Sequence, residues 1–306
     1  MTARHIVERD DASLDTRAPR RAALGLIAAA SAIGAGTGCS VGGLLAAVTP
    51  GGGARRIAGQ AYGDDPRQRL DVYLPAADRP SAVVMFFFGG SWNSGSRETY
   101  RFVGEALAAS GCMVVLPDYR VYPQVRYPGF LEDCAAATGW AMRNLGSLGA
   151  DPTRLMLAGH SAGAYNAAML ALDPRWLDAP AAQGPSGRLR PVAWIGLAGP
   201  YDFLPIGNPD VKPVFFHPDY PPGTQPVSYA GAASPPCFLG AAGIDQLVDP
   251  DRNTGQLAAR LRSSGVEVEE RRYDGVGHVT LLGAFAGPLR WKAPVYKDVV
   301  SFVARH

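Results

Sequence analysis

The chain has 306 residues, of which 47% are hydrophobic and 18% are charged, and its formal net charge is +2. This composition supplies apolar material for one large core, and the scattered basic residues argue against a nucleic-acid-binding surface. The four cysteines form no CxxC pair and no Cys/His cluster, so neither a zinc site nor a disulfide framework is predicted. Cys112, Cys134 and Cys237 lie in apolar surroundings and are expected to be buried, although two of them could pair in an exported protein.

Residues 1–39 have the form of an export signal. A polar segment ends in Arg20 and Arg21, and an uncharged run rich in Ala and Gly follows over residues 22–38. A basic segment before an apolar run that is too short to span a membrane is typical of a secretory signal, and the arginine pair resembles a twin-arginine signal. The alternative is an uncleaved N-terminal extension.

Residues 36–39, Gly-Thr-Gly-Cys, also resemble a bacterial lipoprotein cleavage box, although Gly36 replaces the usual larger aliphatic residue. In such a protein Cys39 carries the lipid and becomes the new N-terminus. We therefore predict an exported protein of the bacterial cell envelope, either periplasmic or anchored at a membrane surface through Cys39. Residues 40–58, which contain Pro50 and a run of three glycines, are interpreted as a linker.

Residues 59–306 form the predicted domain, in which short β-rich apolar runs alternate with longer helical patterns. This alternation predicts an α/β domain, a mostly parallel sheet with helices on both faces. The predicted strands are residues 70–74, 82–88, 113–116, 154–158, 192–197, 237–241 and 266–273. The predicted helices are residues 131–148, 162–172, 251–263 and 294–305. Residues 201–234, rich in Pro, Gly and aromatic residues, are interpreted as a small cap segment.

Residues 159–163 read Gly-His-Ser-Ala-Gly and lie between a predicted strand and a predicted helix. In this setting the pattern indicates a nucleophile elbow, a strained turn whose glycines let the two backbones pass without a clashing Cβ. Ser161 is therefore the candidate nucleophile, with the positive end of the following helix near the charge that develops. A simple helix N-cap in a Gly- and Ala-rich segment is the alternative.

A serine hydroxyl needs a general base, and the base needs an orienting carboxylate. In enzymes with this elbow the chain order is serine, acid, histidine. The histidines after Ser161 are His217 in the cap segment, His278 in a Gly-rich loop after the last strand, and the terminal His306. Order and position make His278 the candidate base.

The candidate acid is Asp245, which follows the predicted strand at residues 237–241. Asp249 stands directly before Pro250 and is better explained as a helix N-cap. Asp202 follows the preceding strand and remains an alternative acid.

Residues 88–92, Phe-Gly-Gly-Ser-Trp, follow the second predicted strand and suggest an oxyanion loop. Such a site draws one N–H from this loop and another from the residue after the nucleophile, which indicates Gly89, Gly90 and Ala162 as donors. Glycine is required where a substrate oxygen approaches the main chain closely. An ordinary turn at the end of the strand is the alternative.

Together these residues resemble the α/β-hydrolase superfamily, specifically the carboxylesterases and hormone-sensitive-lipase-like esterases with an HGGGW-type loop. The resemblance extends over about residues 60–305 and depends on three motifs, at residues 89–92, 159–163 and 277–278. Two positions depart from the family pattern. Phe88 replaces a histidine that supports the loop, and Ala241 and Ala242 stand near the place of the usual His-Gly before the acid.

The resemblance implies an α/β-hydrolase fold and hydrolysis of a small-molecule carboxylic ester through an acyl-enzyme, with no metal and no organic cofactor. Trp92, Tyr119 and Tyr165 are candidates to line an apolar pocket, with core packing as the alternative. Two other functions stay open: amide or formamide hydrolysis with the same three side chains, and a non-catalytic envelope lipoprotein that binds a ligand. The sequence indicates neither the natural substrate nor the oligomeric state.

Overall fold

The structure, a computed structural model, describes residues 53–77, 80–184, 187 and 190–306, together with Leu45 and Thr49. The predicted leader, residues 1–39 with Cys39, lies outside the described residues, so export and lipidation stay predictions. Within the described ranges, no helix is both long enough and apolar enough to cross a membrane.

A single sheet organises the described part of the chain. Its strands are β1 (Arg55–Ala61), β2 (Arg69–Leu74), β3 (Val83–Phe87), β4 (Met113–Pro117), β5 (Leu155–His160), β6 (Ala193–Leu197), β7 (Cys237–Ala242) and β8 (Val268–Tyr273). They lie side by side in the order β1-β2-β4-β3-β5-β6-β7-β8. β2 is antiparallel to both of its neighbours, and all other pairs are parallel. The predicted mostly parallel sheet is confirmed.

The composition of the central strands explains why they are buried. Every residue of β3, β4, β5, β6 and β7 is buried, as expected for apolar strands that helices cover on both faces. β1 is different, because four of its seven residues are exposed and it contains no apolar run. For this reason residues 55–58 were predicted to belong to the linker, whereas they form the first part of an edge strand.

Seven α-helices accompany the sheet in the described ranges: α1 (Arg101–Ala109), α2 (Gly129–Asn144), α3 (Ala162–Leu172), α4 (Pro174–Asp178), α5 (Gln256–Ser263), α6 (His278–Gly283) and α7 (Val295–Arg305). α2, α3, α5 and α7 lie where helices were predicted, although α5 begins only after a π-helical turn at Asp251–Gly255. α1, α4 and α6 were not predicted. The three cysteines expected to be buried, Cys112, Cys134 and Cys237, are buried and unpaired.

The predicted cap segment, residues 201–234, contains two short 3-10 turns, Lys212–Phe215 and Pro226–Tyr229. It is tied to the domain by several hydrogen bonds, two of which involve residues in or next to α2 and α3. The Tyr127 N–H donates to the carbonyl oxygen of Val214 over 3.0 Å, and the Tyr165 hydroxyl donates to that of Thr224 over 2.9 Å. The segment therefore packs against α2 and α3.

Candidate active site

The sheet brings the predicted functional segments to one edge. The loop at residues 88–95 follows β3, Ser161 follows β5, Asp245 follows β7 and His278 follows β8. These strands are parallel, so their carboxyl ends meet at the same edge, where open α/β sheets place their ligands.

Ser161 occupies a strained turn between β5 and α3. Its backbone has φ +55° and ψ −124°, which is unusual for a residue with a side chain and costs on the order of 1–3 kcal/mol. The flanking glycines are required by close packing, because a Cβ at Gly159 would lie 2.1 Å from the carbonyl oxygen of Gly163. A Cβ at Gly163 would lie 2.0 Å from the carbonyl oxygen of Phe87. This is the geometry of a nucleophile elbow.

His278 contacts both of the other candidate side chains. Its Nε2 lies 2.8 Å from Ser161 Oγ, and its Nδ1 lies 2.7 Å from Asp245 Oδ2. An ionised carboxylate can only accept, so Nδ1 carries the proton and Nε2 is left to accept the serine O–H. Both side chains are shielded from solvent, with 8% of His278 and 1% of Asp245 exposed. The arrangement can remove a proton from Ser161.

The carboxylate of Asp245 is held by its own loop. Its Oδ1 accepts hydrogen bonds from the amides of Leu247, over 2.9 Å, and Val248, over 3.0 Å. Burial acts to raise the pKa of Asp245, but the hydrogen bonds from His278 and from these amides outweigh it, and the pKa lies below its ordinary value. Asp245 is therefore ionised wherever His278 can act as a base.

The alternative residues lie elsewhere. Asp202 forms an ion pair with Arg252 over 3.3 Å instead of facing a histidine. Asp249 accepts hydrogen bonds from two amides at the start of the next helical turn, as an N-cap does. His217 and His306 make their hydrogen bonds inside the cap segment and the last helix. Only one of the predicted acid and histidine combinations meets Ser161 in the described residues.

The loop at residues 88–95 is a tight turn around Gly90. The carbonyl oxygen of Gly90 accepts hydrogen bonds from the amides of Asn93 and Ser94, over 3.1 Å and 3.0 Å. A Cβ at Gly90 would lie 2.4 Å from the Ser94 carbonyl oxygen, and its φ of +135° also favours glycine. The amide of Ala162 is the first N–H of α3, and the first amides of a helix have no partner within it.

One protein family has a sequence pattern that matches most of this chain. The sequence pattern of the BD-FAE family matches residues 70–261, more than half of the chain. The chain belongs to the BD-FAE family. The matched range includes Ser161 and Asp245 and ends before His278.

Individual relatives of this BD-FAE chain agree with the assignment. It is similar to esterase LipC of Mycobacterium tuberculosis, with 32% identity over 74% of this chain and 61% of LipC. It is also similar to the isoprenylcysteine alpha-carbonyl methylesterase ICME of Arabidopsis thaliana, with 29% identity over 79% of this chain and 60% of ICME. The chain thus spans about three fifths of the length of these two curated relatives.

Among solved structures, the propionate-bound esterase Est2 of Thermogutta terrifontis matches with a TM-score of 0.67 and 23% identity, over 83% of this chain and 94% of that one. This likeness confirms the predicted α/β-hydrolase fold. Together with the family match, it confirms the resemblance to hormone-sensitive-lipase-like carboxylesterases.

This member of the BD-FAE family supports its glycine loop with aromatic rings. Phe88, which replaces the histidine of related esterases, stacks on Tyr119 with ring centroids 4.2 Å apart and planes 8° apart. The Tyr119 hydroxyl donates to the Phe88 carbonyl oxygen over 2.7 Å. Ring stacking and this hydrogen bond therefore support the loop from behind.

The three aromatic residues considered for the substrate pocket are buried. Trp92 is 2% exposed, and Tyr119 and Tyr165 are fully buried. The Trp92 ring packs edge-on against Tyr165 and Phe215, and its Nε1 donates to Asn166 Oδ1 over 3.0 Å. These side chains leave almost no surface free for a ligand. Their contacts therefore favour the alternative role, core packing.

The residue before the nucleophile, His160, joins the two sides of the site. Its Nε2 lies 3.0 Å from the carbonyl oxygen of His278, and its Nδ1 lies 2.9 Å from the Tyr100 hydroxyl. A carbonyl can only accept, so Nε2 carries the proton and the Tyr100 hydroxyl donates to Nδ1. Burial, with the nearby His278 charge, lowers the pKa of His160 to about 3. The ring is therefore neutral when His278 acts.

Gly89 packs against the same network. A Cβ at Gly89 would lie 2.9 Å from the Tyr100 hydroxyl oxygen and 2.8 Å from the His160 carbonyl oxygen, so the position requires glycine. Gly89, Gly90 and Ala162 all stay candidate oxyanion donors. Sequence reasoning overlooked His160 and Tyr100. His160 had a signal, as it lies inside the Gly-x-Ser-x-Gly motif, whereas Tyr100 had none.

Proposed function

We propose that the protein is a serine carboxylesterase in which Ser161 is the nucleophile, His278 the general base and Asp245 the residue that orients the base. The observation that carries this proposal is the pair of contacts of one imidazole, 2.8 Å to Ser161 Oγ and 2.7 Å to Asp245 Oδ2. Nucleophile and base within hydrogen-bonding distance, with the base oriented by a third group, are the requirements for acyl transfer.

The reaction follows from these positions. Ser161 Oγ attacks the ester carbonyl carbon while His278 Nε2 takes its proton, and the amides of Gly90 and Ala162 bind the oxygen that becomes negative. His278 then gives the proton to the leaving alcohol, which leaves an acyl group on Ser161. Water, activated by the same imidazole, releases the carboxylic acid.

The choice of esters over amides is supported by the relatives. LipC is named an esterase and ICME a methylesterase, and over the aligned residues they are 32% and 29% identical to this chain. Since the chain spans about three fifths of each relative, their own substrates are not transferred to it.

The proposal is tested with a series of p-nitrophenyl esters and a fluorophosphonate probe. Wild type should hydrolyse the esters and be labelled on Ser161. Ser161→Ala should not be labelled and should lose about a millionfold in kcat, the usual effect of removing a serine nucleophile. Ser147→Ala, which changes an exposed serine far along the chain from the elbow, is the control and should match wild type.

Ester turnover that survives Ser161→Ala would contradict this mechanism. Wild-type turnover of formamides with no turnover of esters would instead favour the amide alternative.

A further inference from the structure

Large exposed hydrophobic side chains are concentrated beside the acid and the base. Five are more than a third exposed in the described ranges: Phe216, Ile244, Leu247, Val279 and Trp291. Three of these five lie within two residues of Asp245 or His278, namely Ile244 at 60%, Leu247 at 70% and Val279 at 72% exposed. Single exposed apolar side chains need no explanation, but three on the two loops that carry the acid and the base do.

These three side chains, here called the apolar rim, belong to two loops that touch each other. The Ile244 amide donates to the carbonyl oxygen of Val276 over 3.1 Å, which joins the acid loop to the base loop. The Leu247 amide donates to Asp245 Oδ1, so its backbone faces the site while its side chain faces solvent. The backbone holds the catalytic groups, and the exposed side chains add little to the core.

The interior side of the site is already filled. Trp92, Tyr165 and Phe215 pack against one another beside the glycine loop and are at most 2% exposed. An apolar chain that extends from the site therefore meets its accessible hydrophobic surface on the rim.

Reaction chemistry identifies which part of the ester reaches the rim. The proton leaves on His278 Nε2 and is delivered to the oxygen of the leaving alcohol, so that oxygen lies next to the imidazole. The amides of Gly90 and Ala162 belong to other segments, the loop after β3 and the start of α3, and in the proposed reaction they bind the acyl carbonyl oxygen. Val279 follows His278 directly, and Ile244 precedes Asp245, so the rim adjoins the alcohol side.

We propose that the apolar rim binds the alcohol part of the substrate, and that the preferred substrates are esters of hydrophobic alcohols. This inference rests on the proposed esterase function and adds a substrate class to it.

The test compares three esters on wild type and on the double variant Leu247→Asn/Val279→Thr, which keeps the approximate shape of both side chains. Ethyl acetate, octyl acetate and ethyl octanoate are followed by acid release below the concentrations at which they aggregate. The variant should lose about tenfold in kcat/KM on octyl acetate, the effect of losing contact with roughly two methylene groups. Its kcat/KM on ethyl acetate and ethyl octanoate should stay within about twofold of wild type.

The matched control is Gln246→Ser, which changes an exposed polar side chain on the same loop and should leave all three esters unaffected. Active enzyme is counted with the fluorophosphonate probe, so a misfolded fraction does not enter the comparison. Equal losses on all esters, no loss, or a loss confined to ethyl octanoate would each overturn the inference. An effect seen only with aggregated octyl acetate would also overturn it, in favour of contact with a lipid surface.

The two proposals fail in different ways. If wild type hydrolyses no ester and is not labelled, the esterase function itself is wrong. If wild type is active and the rim variant shows no selective loss on octyl acetate, only the inference about the alcohol is wrong.

Discussion

The nucleophile side of the site, Ser161 with residues 88–95, rests on the core through the buried Phe88 and Trp92, whereas the acid–base side lies on two loops that expose apolar side chains. On the nucleophile side, main chain packs directly on main chain at Gly159 and Gly163, and aromatic rings fill the space behind. On the acid–base side, Asp245 is held by amides of its own loop. The first side is built by close packing and the second by hydrogen bonds.

One side chain connects the two. The His160 ring lies in the core at the elbow and donates from Nε2 to the carbonyl oxygen of His278. It also approaches the His278 ring, with centroids 4.9 Å apart. We therefore expect substitutions to act differently at the two places. On the acid–base side they should act by removing the charge of Asp245, and at His160 they should act by shifting the position of His278.

The largest effect is expected from Asp245→Asn. The asparagine keeps the shape of the side chain but removes the charge that fixes the His278 tautomer, so kcat should fall by roughly 10³ to 10⁴. Asp202→Asn is the matched control, because Asp202 pairs with Arg252 and should affect kcat by less than about threefold. Steady-state kinetics on one p-nitrophenyl ester measure both. A larger loss of kcat from Asp202→Asn than from Asp245→Asn would show that Asp202, and not Asp245, orients the base.

A smaller effect is expected when the connection through His160 is cut selectively. In His160→Gln the side-chain N–H can still reach the His278 carbonyl, whereas in His160→Asn the shorter amide reaches only the Tyr100 hydroxyl. We expect His160→Asn to lower kcat about 10- to 100-fold with little change in KM, because a shift of the base by an ångström is costly. His160→Gln should stay within about threefold of wild type.

The pH profile of kcat separates positioning from general damage to the fold. A displaced His278 should change the pH profile of kcat in His160→Asn, whereas the profile of His160→Gln should match that of wild type. Identical losses and identical profiles in the two variants would show that the contact with His278 is not what matters.

The sequence predicted what local patterns determine. β2 to β8 lie within two residues of the predicted strands, and β3 to β7 are short apolar runs that are fully buried in the sheet. The elbow is contiguous in sequence, and the chain order of serine, acid and histidine selected the three side chains that the fold brings together. Asp245 and Asp202 each follow a strand, so position alone did not separate them, and the structure places Asp245 against His278 and Asp202 against Arg252.

The remaining features depend on contacts between distant positions. Tyr100 and His160 are 60 residues apart, and the carbonyl of His278 lies another 118 residues along the chain. No spacing rule relates such positions, so the connection could not be predicted. β1 and α6 were missed for the opposite reason, since a short or exposed element has little hydrophobic periodicity.

The smallest expected effect is on the free energy of unfolding. It tests whether the His160 ring is buried. In the unfolded chain a histidine has a pKa of about 6.5, and burial lowers the folded value for His160 to about 3. Between these values the unfolded state binds the extra proton, so stability is full above pH 6.5 and falls as the pH decreases toward 3. His160→Gln has no such proton.

Urea unfolding of wild type and His160→Gln at pH 7 and pH 5 measures this contribution. Wild type should lose about 2 kcal/mol more than the variant between these pH values, from roughly 1.4 kcal/mol per pH unit below pH 6.5. Carboxylates titrate in both proteins and cancel in the difference. Equal losses in the two proteins would mean that solvent reaches the ring, and that the nucleophile side is less enclosed than its packing indicates.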